Sequence, residues 1–328
     1  MNHSPHSRSR ADAAGRAPES EGSVDIGLVV AAHGRHCLVE SPDGQRRICH
    51  PRGKKSQAVV GDRVHWMPTG DEGSIERVEP RLNLFYRQDE LRTKSFAANL
   101  DQVLVLLAAE PEFSESQLTR ALVAAEAEGI APLIVLNKAD LGALFERAWE
   151  RLAPYRAMGL TVLPLRLKGE HDASSGLDAL VQRLEGKTTL VLGPSGVGKS
   201  TLVNRLVPQA QAQTGEISRA LNSGKHTTTS TTWYWVDTAR TTALIDSPGF
   251  QEFGLNHIDA TRLASLMPDL RAALGACRFY NCTHLHEPGC GVRAKVQGEA
   301  SGDDHIIAPT RYRIYEDLFA ELSAKRSY

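Results

Sequence analysis

Cysteine and long apolar runs are both scarce in this chain. Its 328 residues include five cysteines, and three of these fall between positions 277 and 290. No apolar stretch of signal-peptide length follows the basic residues near the start, which argues against a secretory signal, and no run is long enough to span a membrane. We therefore expect a cytoplasmic protein in a reducing compartment, where clustered cysteines favour metal binding over disulfides.

The overall charge does not indicate a class of binding partner. The formal net charge is −1, so there is no global signature of nucleic-acid binding. A hydrophobic content of 41% suits two or three globular units. Residues 1–23 have almost no apolar content and are expected to form a disordered tail.

Residues 24–91 are predicted to form a small β-barrel. Short alternating apolar runs are separated by turns, and helical periodicity is missing. The OB-fold is one such barrel, and it can bind RNA on its surface. Basic residues cluster within this segment, with only Asp62 among them: Arg46, Arg47, Arg52, Lys54, Lys55 and Arg63. They form either a phosphate-contacting patch or an ordinary solvated loop.

A phosphate-binding loop is predicted at positions 193–201, between an apolar strand and a helix. Its pattern is G-x-x-x-x-G-K-[ST], in which glycines let backbone N–H groups surround phosphate oxygens. The loop comprises Gly193, Pro194, Ser195, Gly196, Val197, Gly198, Lys199, Ser200 and Thr201. Lys199 would reach the β- and γ-phosphates, and Ser200 would hold Mg²⁺.

Positions 137–140 identify the base as guanine. Here Asn137, Lys138, Ala139 and Asp140 follow an apolar strand. The carboxylate of Asp140 can accept from the ring N–H and the exocyclic amine of guanine, whereas adenine would leave it unpaired. The Lys138 stem can lie along the base, and Asn137 can tie this loop to the P-loop.

Two further segments match the switches of a GTPase. Asp246 begins a D-x-x-G turn, in which it would reach Mg²⁺ while the amide of Gly249 reaches the γ-phosphate. Upstream, positions 224–229 suit a mobile loop whose threonine completes the Mg²⁺ shell; spacing favours Thr227 or Thr228 and leaves Thr229 as an alternative.

The order of these motifs is permuted. Base recognition precedes the P-loop and both switches, whereas ordinary GTPases place it near the end. A doubly wound α/β sheet tolerates such permutation because its natural termini can be joined without changing the core. Strands at 102–107, 133–136, 160–163 and 242–245 alternate with predicted helices at 114–128, 141–155, 176–184 and 201–206.

A metal site is predicted after the second switch. Its ligands are Cys277, Cys282, His284 and Cys290. Such a Cys₃His set suits one structural Zn²⁺ with no open position for catalysis, which disfavours a nuclease or a deaminase. Disulfides or free buried thiols are the alternatives.

These motifs together resemble the RsgA (YjeQ) family of small-ribosomal-subunit-dependent GTPases. The resemblance covers about residues 24–328 and implies an OB-fold domain (24–91), a circularly permuted GTPase domain (92–256) and a zinc domain with a C-terminal helix (257–328). It further implies a late assembly factor, expected to be monomeric, that hydrolyses GTP when stimulated by the small subunit and its rRNA. The alternative is a GTP-gated RNA-binding module whose hydrolysis is incidental.

Two positions depart from ordinary GTPases. The loop that usually touches the guanine oxygen here contains Leu165, Arg166, Leu167 and Lys168, so its contacts stay open. Phe250 follows the D-x-x-G turn, where Ras-like proteins carry a water-orienting glutamine. The nearest suitable side chain is His226, whose neutral imidazole could accept from water, although it could instead pack or bind RNA. The expected catalytic residues are therefore His226, Lys199 and Gly249.

Overall fold

The computed structural model describes residues 24–34, 36–52, 58–169, 172–210, 231–249, 252–297 and 306–324. Its first unit is a barrel. The strands are β1 (Asp25–His33), β2 (His36–Glu40), β3 (Arg46–Pro51), β4 (Arg63–Thr69) and β5 (Glu72–Val78). They pair in the order β1-β2-β3-β5-β4, and β4 pairs again with β1, which closes the barrel. The predicted OB-like fold is confirmed.

Alternating side chains fill the barrel, as the period of two along each strand requires. Val29, Val39, Val64 and Ile75 are buried there beside Trp66. The two cysteines outside the predicted metal site also point inside, because Cys37 lies opposite Cys49 on neighbouring strands. Burial raises the pKa of Cys37 to about 11 and that of Cys49 to about 12, so both remain thiols.

Ion pairs neutralise part of the basic segment. Arg46 binds Glu40 at 2.8 Å, and Arg52 binds Glu76 at 2.6 Å. Asp62 is the only acidic residue between positions 46 and 63, whereas these two glutamates lie outside that span, on the strands that pair with β3. Lys54 and Lys55 lie outside the described residues.

A two-stranded hairpin connects the barrel to the next unit. It consists of β6 (Leu84–Gln88) and β7 (Thr93–Ala98) and spans position 91, the first predicted domain boundary. Phe85 and Phe96 pack with Phe253, which follows the second switch. The hairpin therefore packs against the residues that follow the D-x-x-G turn in the chain.

The second unit contains a doubly wound sheet. Its strands are β8 (Gln102–Ala108), β9 (Ala131–Asn137), β10 (Val162–Pro164), β11 (Thr188–Leu192), β12 (Thr232–Trp235) and β13 (Ala243–Asp246). They lie in the order β10-β9-β8-β11-β13-β12; β12 is antiparallel to β13, and the other neighbours are parallel. The predicted α/β sheet is confirmed.

Helices cover both faces of this sheet. They are α1 (Glu115–Ala127), α2 (Ala143–Arg151), α3 (Ala153–Ala157), α4 (Leu177–Leu184) and α5 (Lys199–Leu206). Leu104 and Leu106 pack toward α4 and α5, whereas Val105 and Leu107 pack toward α1. A single predicted helix at 141–155 was wrong, because the chain breaks into α2 and α3 at Leu152, two residues before Pro154, whose ring removes a backbone N–H.

The third unit packs against α1. It contains α6 (Pro268–Arg271), α7 (Gly291–Gln297) and α8 (Pro309–Ala324). Arg311 on α8 is 2% exposed and binds Asp269 through two hydrogen bonds of 2.8 and 3.0 Å, and its guanidinium also donates to Thr119 of α1. In the described part of the chain, no helix is both long and apolar enough to cross a membrane.

Candidate nucleotide and metal sites

The P-loop joins β11 to α5, as predicted. Gly193 and Gly198 adopt φ values of 156° and 107°, a region that favours glycine. A Cβ on Gly193 would stand 2.3 Å from the carbonyl oxygen of Leu106, and one on Gly198 would stand 2.6 Å from the Asn137 amide nitrogen. Gly193 is therefore required by the close Leu106 backbone as well as by its conformation, and Gly198 by its conformation and by the close Asn137 side chain.

Lys199 lies across the loop. Its Nζ donates to the carbonyl oxygens of Gly193 at 2.8 Å and Pro194 at 2.7 Å. Burial lowers the pKa of Lys199, while the charge of Asp246 acts to raise it. Gly249 is close by, since a Cβ there would stand 3.2 Å from Nζ. The structure thus brings together the predicted P-loop lysine and the glycine of the second switch.

Asp246 ends β13 beside this lysine. The residue is 8% exposed, and its Oδ1 has no hydrogen-bond partner among the described residues. Burial raises the pKa of Asp246 to about 6, although Lys199 and the Ser247 amide oppose the shift. An unpartnered buried carboxylate oxygen suits a hard divalent cation, and Ser200 in the first turn of α5 carries the second expected ligand oxygen.

Asn137 connects the base-recognition loop to the P-loop, as predicted. Its amide nitrogen donates to the carbonyl oxygen of Val197 at 2.9 Å, and its Oδ1 accepts from the Leu167 amide at 3.3 Å. Ala139 donates its backbone N–H to Leu165 at 3.0 Å. Three loops from distant parts of the chain are held together here.

A cavity of about 460 Å³ opens between these loops. Its lining residues are Glu110, Asn137, Lys138, Asp140, Leu141, Leu167, Lys168, Gly196, Gly198 and Thr201. Of these, Glu110 and Leu141 belong to no motif that we identified in the sequence. Lys138 adopts a left-handed φ of 68°, and Asp140 is exposed at the cavity in a short 3₁₀ turn.

Two of the residues at positions 165–168 face the cavity between these loops. Leu167 and Lys168 line the cavity, whereas Arg166 turns aside and binds Asp172 at 2.6 Å. Among the other predicted P-loop residues, Val197 is fully buried, and Ser195 is exposed beside Gly249. Three predicted site residues lie outside the described residues: His226, Thr227 and Thr228.

The predicted metal ligands also converge. The ligand atoms of Cys277, Cys282, His284 and Cys290 all lie within 4.8 Å of one another. His284 Nδ1 is 3.5 Å from the Sγ atoms of both Cys277 and Cys290. Tetrahedral zinc with ordinary bond lengths would separate S and N by about 3.6 Å, so the cluster could hold one such ion. All the cysteines are free, which removes the disulfide alternative.

Hydrogen bonds from outside the cluster fix the ligand loop. Tyr312 of α8 donates to the His284 carbonyl oxygen at 2.6 Å, and Tyr315 donates to that of Thr283 at 2.7 Å. The Glu287 carboxylate accepts from the amide and hydroxyl of Thr283. Burial acts to raise the pKa of Glu287, but these bonds hold it well below its usual range.

Comparison with known proteins places this geometry in a family. A model of the RsgA GTPase family matches residues 78–256. Two solved structures share the fold. YloQ, described as a circularly permuted GTPase, matches with a TM-score of 0.65 and 25% identity, over 94% of this chain and 99% of its own. YjeQ from Thermotoga maritima matches with a TM-score of 0.67 and 29% identity, over 91% of this chain and 98% of its own.

Relatives named small ribosomal subunit biogenesis GTPase RsgA cover nearly the whole chain. The protein from Variovorax paradoxus is 70% identical over 92% of this chain and 93% of its own length. The protein from Burkholderia pseudomallei strain K96243 is 54% identical over 90% of this chain and 92% of its own length. The family match over residues 78–256 and these two relatives agree, and the chain belongs to the RsgA GTPase family.

Proposed function

We propose that the GTP-hydrolysing activity of this family is carried out in the cavity between the Asn137 loop and the P-loop. The observation that carries the proposal is the 2.9 Å bond from Asn137 to Val197, which joins the base-recognition loop to the phosphate-binding loop. The carboxylate of Asp140 accepts from the two guanine donors. The P-loop amides and Lys199 bind the phosphates.

The residues around Lys199 would support in-line attack of water on the γ-phosphate. Lys199 spreads the charge that develops in the transition state, and the amide of Gly249, a residue that lies beside Lys199, is proposed to bind the γ-phosphate. Asp246, Ser200 and Thr227 or Thr228 would hold Mg²⁺. When bound, Mg²⁺ supplies further neutralisation of phosphate charge. His226 is proposed to orient the attacking water.

We further propose a cytoplasmic factor that engages the small ribosomal subunit late in its assembly. Support comes from the relatives, which are named small ribosomal subunit biogenesis GTPases, and from the OB-like barrel, a fold that binds RNA on its surface. The proposed division is a barrel (24–91), a GTPase domain (92–256) and a domain (257–328) held by structural Zn²⁺. The basic patch on the barrel is proposed to contact rRNA through those cations that Glu40 and Glu76 leave free.

Single-turnover and steady-state assays with purified small subunits test this function. GTP turnover should rise when small subunits are added, whereas large subunits, the matched control, should leave it unchanged. Co-sedimentation in GTP, GDP and a non-hydrolysable analogue should show binding restricted to the triphosphate states. Nucleotide-dependent binding without any stimulation of turnover would instead indicate a GTP-gated RNA-binding module.

A further inference from the structure

A carboxylate that belongs to no nucleotide-binding motif lies in the cavity. Glu110 follows β8 by two residues and lines the cavity together with Lys138 and Gly196. The next residue, Pro111, lies against the P-loop, because a Cβ on Gly196 would stand 3.7 Å from its Cδ. Glu110 therefore lies beside both the base-recognition loop and the phosphate-binding loop.

The order of the strands explains this position. β8 lies between β9, which leads into the base-recognition loop, and β11, which leads into the P-loop. All three are parallel, so their carboxyl ends meet at one edge of the sheet, where open α/β sheets bind ligands. A nucleotide whose base and phosphates occupy the two outer loops must place its sugar over the middle one.

The chemistry of the nucleotide then limits what Glu110 can bind. A carboxylate accepts hydrogen bonds and donates none. Phosphate oxygens would repel it, and the guanine donors face Asp140 in the proposed function. The sugar hydroxyls are the remaining donors of GTP. Glu110 is exposed and has no hydrogen bond or ion pair with another described residue, so its oxygens are free to accept.

We propose that Glu110 is a specificity-determining residue that accepts hydrogen bonds from the ribose hydroxyls of GTP. This inference rests on the proposed function, since it requires guanine nucleotide in this cavity. Its consequence is discrimination by the protein between ribonucleotides and deoxyribonucleotides, a property that neither the P-loop nor the Asp140 motif provides.

Nucleotide affinities test the proposal. Dissociation constants are measured for GTP, 2′-deoxy-GTP and 3′-deoxy-GTP with the full-length protein and with Glu110→Ala and Glu110→Gln. The wild type should bind GTP about tenfold more tightly than at least one deoxy analogue, the size expected of hydrogen bonds to a charged group. In Glu110→Ala the ratio should approach one, because GTP loses affinity while that analogue does not. Glu110→Gln, which keeps one acceptor oxygen, should fall between them.

Glu112→Ala is the matched control. Glu112 is an exposed carboxylate two residues away that binds Arg151 at 2.6 Å and does not line this cavity. Its removal should leave all three affinities unchanged.

Three results would be decisive against the proposal. An unchanged ratio in Glu110→Ala would overturn the ribose contact. An equal loss for all three nucleotides would also overturn it, because Glu110 would then act on Lys138 rather than on the sugar. ATP is titrated separately against the wild type. Equal affinity for GTP and ATP there would refute the proposed function itself, which separates that failure from the first two.

Discussion

The amide nitrogen of Asn137 lies 2.9 Å from the carbonyl oxygen of Val197, across 60 positions of sequence. Both groups are buried, and the same side chain accepts from Leu167. The bond connects the carboxyl ends of β9 and β11, which are separated in the sheet by β8. Permutation of the chain leaves the contact intact because strand order, rather than sequence order, determines which loops meet.

Asn137→Ala should weaken both the fold and nucleotide binding. The change leaves the Val197 carbonyl oxygen and the Leu167 amide without partners. Each buried group left without a partner should lower the free energy of unfolding by about 1–3 kcal/mol. GTP affinity should fall by at least about tenfold, because the two loops lose their shared support. Urea unfolding and nucleotide titration measure these effects. Asn281→Ala, at an exposed position, is the control and should change neither. Wild-type GTP affinity in Asn137→Ala would contradict the role of this bond.

Asp140→Asn should shift the base preference from guanine toward xanthine. The carboxylate has two acceptor oxygens, whereas the amide offers one acceptor and a donor that repels the guanine amine. Xanthosine triphosphate should then compete better than GTP in a displacement assay. Asp178→Asn, on the exposed face of α4, controls for the loss of one negative charge. An unchanged preference for GTP would show that this loop does not read the base.

Cys282→Ala should unfold the third unit locally and spare GTP binding. The metal ligands lie outside the GTPase sheet, and metal binding contributes directly to the folding of small metal domains. The Tyr312 and Tyr315 hydroxyls lose their carbonyl partners when the ligand loop opens, so the near-UV circular dichroism of tyrosine should decrease. Metal analysis should find about one Zn²⁺ per chain in the wild type and in the control Cys37→Ala, whose thiol lies in the barrel. Wild-type protein purified without chelator that contains no stoichiometric zinc would refute the assignment.

His226→Ala should reduce subunit-stimulated turnover by about 10²-fold while sparing GTP affinity. The imidazole is proposed to act on water in the transition state, so its loss should appear in the turnover number rather than in binding. The basal rate should change less than the stimulated rate. Stopped-flow release of phosphate, with subunit binding confirmed by co-sedimentation, measures both. A stimulated rate close to wild type would exclude His226 from the mechanism.

The motifs could be predicted from sequence because each performs its chemistry within a few consecutive residues. The P-loop glycines, the Asn137–Asp140 segment and the spacing from Cys277 to Cys290 each specify a local backbone and a set of ligands. The confirmed strand–loop–helix context followed from apolar runs ending at these motifs. Even the convergence of Asn137 on the P-loop was predictable, because both lie at carboxyl ends of parallel strands.

Tertiary neighbours could not be predicted in the same way. Nothing around Glu110 signals a site; its position depends on β8 lying between two motif-bearing strands. Glu40 neutralises Arg46 across a pair of neighbouring strands, and Glu76 neutralises Arg52 from a position 24 residues away. In both cases the pairing of strands determines which charged side chains become neighbours, and that pairing cannot be derived from a single sequence.

Arg311 is a buried charge that joins the third unit to α1 of the second. Its guanidinium binds both oxygens of Asp269, donates to Thr119 at 2.6 Å and stands 5.0 Å from the centre of the Tyr155 ring. Arg311→Met should lower the free energy of unfolding by about 3–5 kcal/mol, because it leaves Asp269, whose side chain is only 10% exposed, without a counter-charge. The double variant Arg311→Met, Asp269→Leu should recover much of that loss, since paired apolar side chains can replace a buried ion pair.

Urea unfolding of the wild type, Arg311→Met, Asp269→Leu and the double variant gives a double-mutant cycle for this pair. Arg313→Met, an exposed arginine two residues further along α8, should change stability by less than about 0.5 kcal/mol. GTP affinity should stay constant throughout, because the pair lies away from the nucleotide cavity. A double variant no more stable than Arg311→Met would show that the hydrogen bond to Thr119 and the contact with Tyr155, rather than the charge of Asp269, require an arginine at this position.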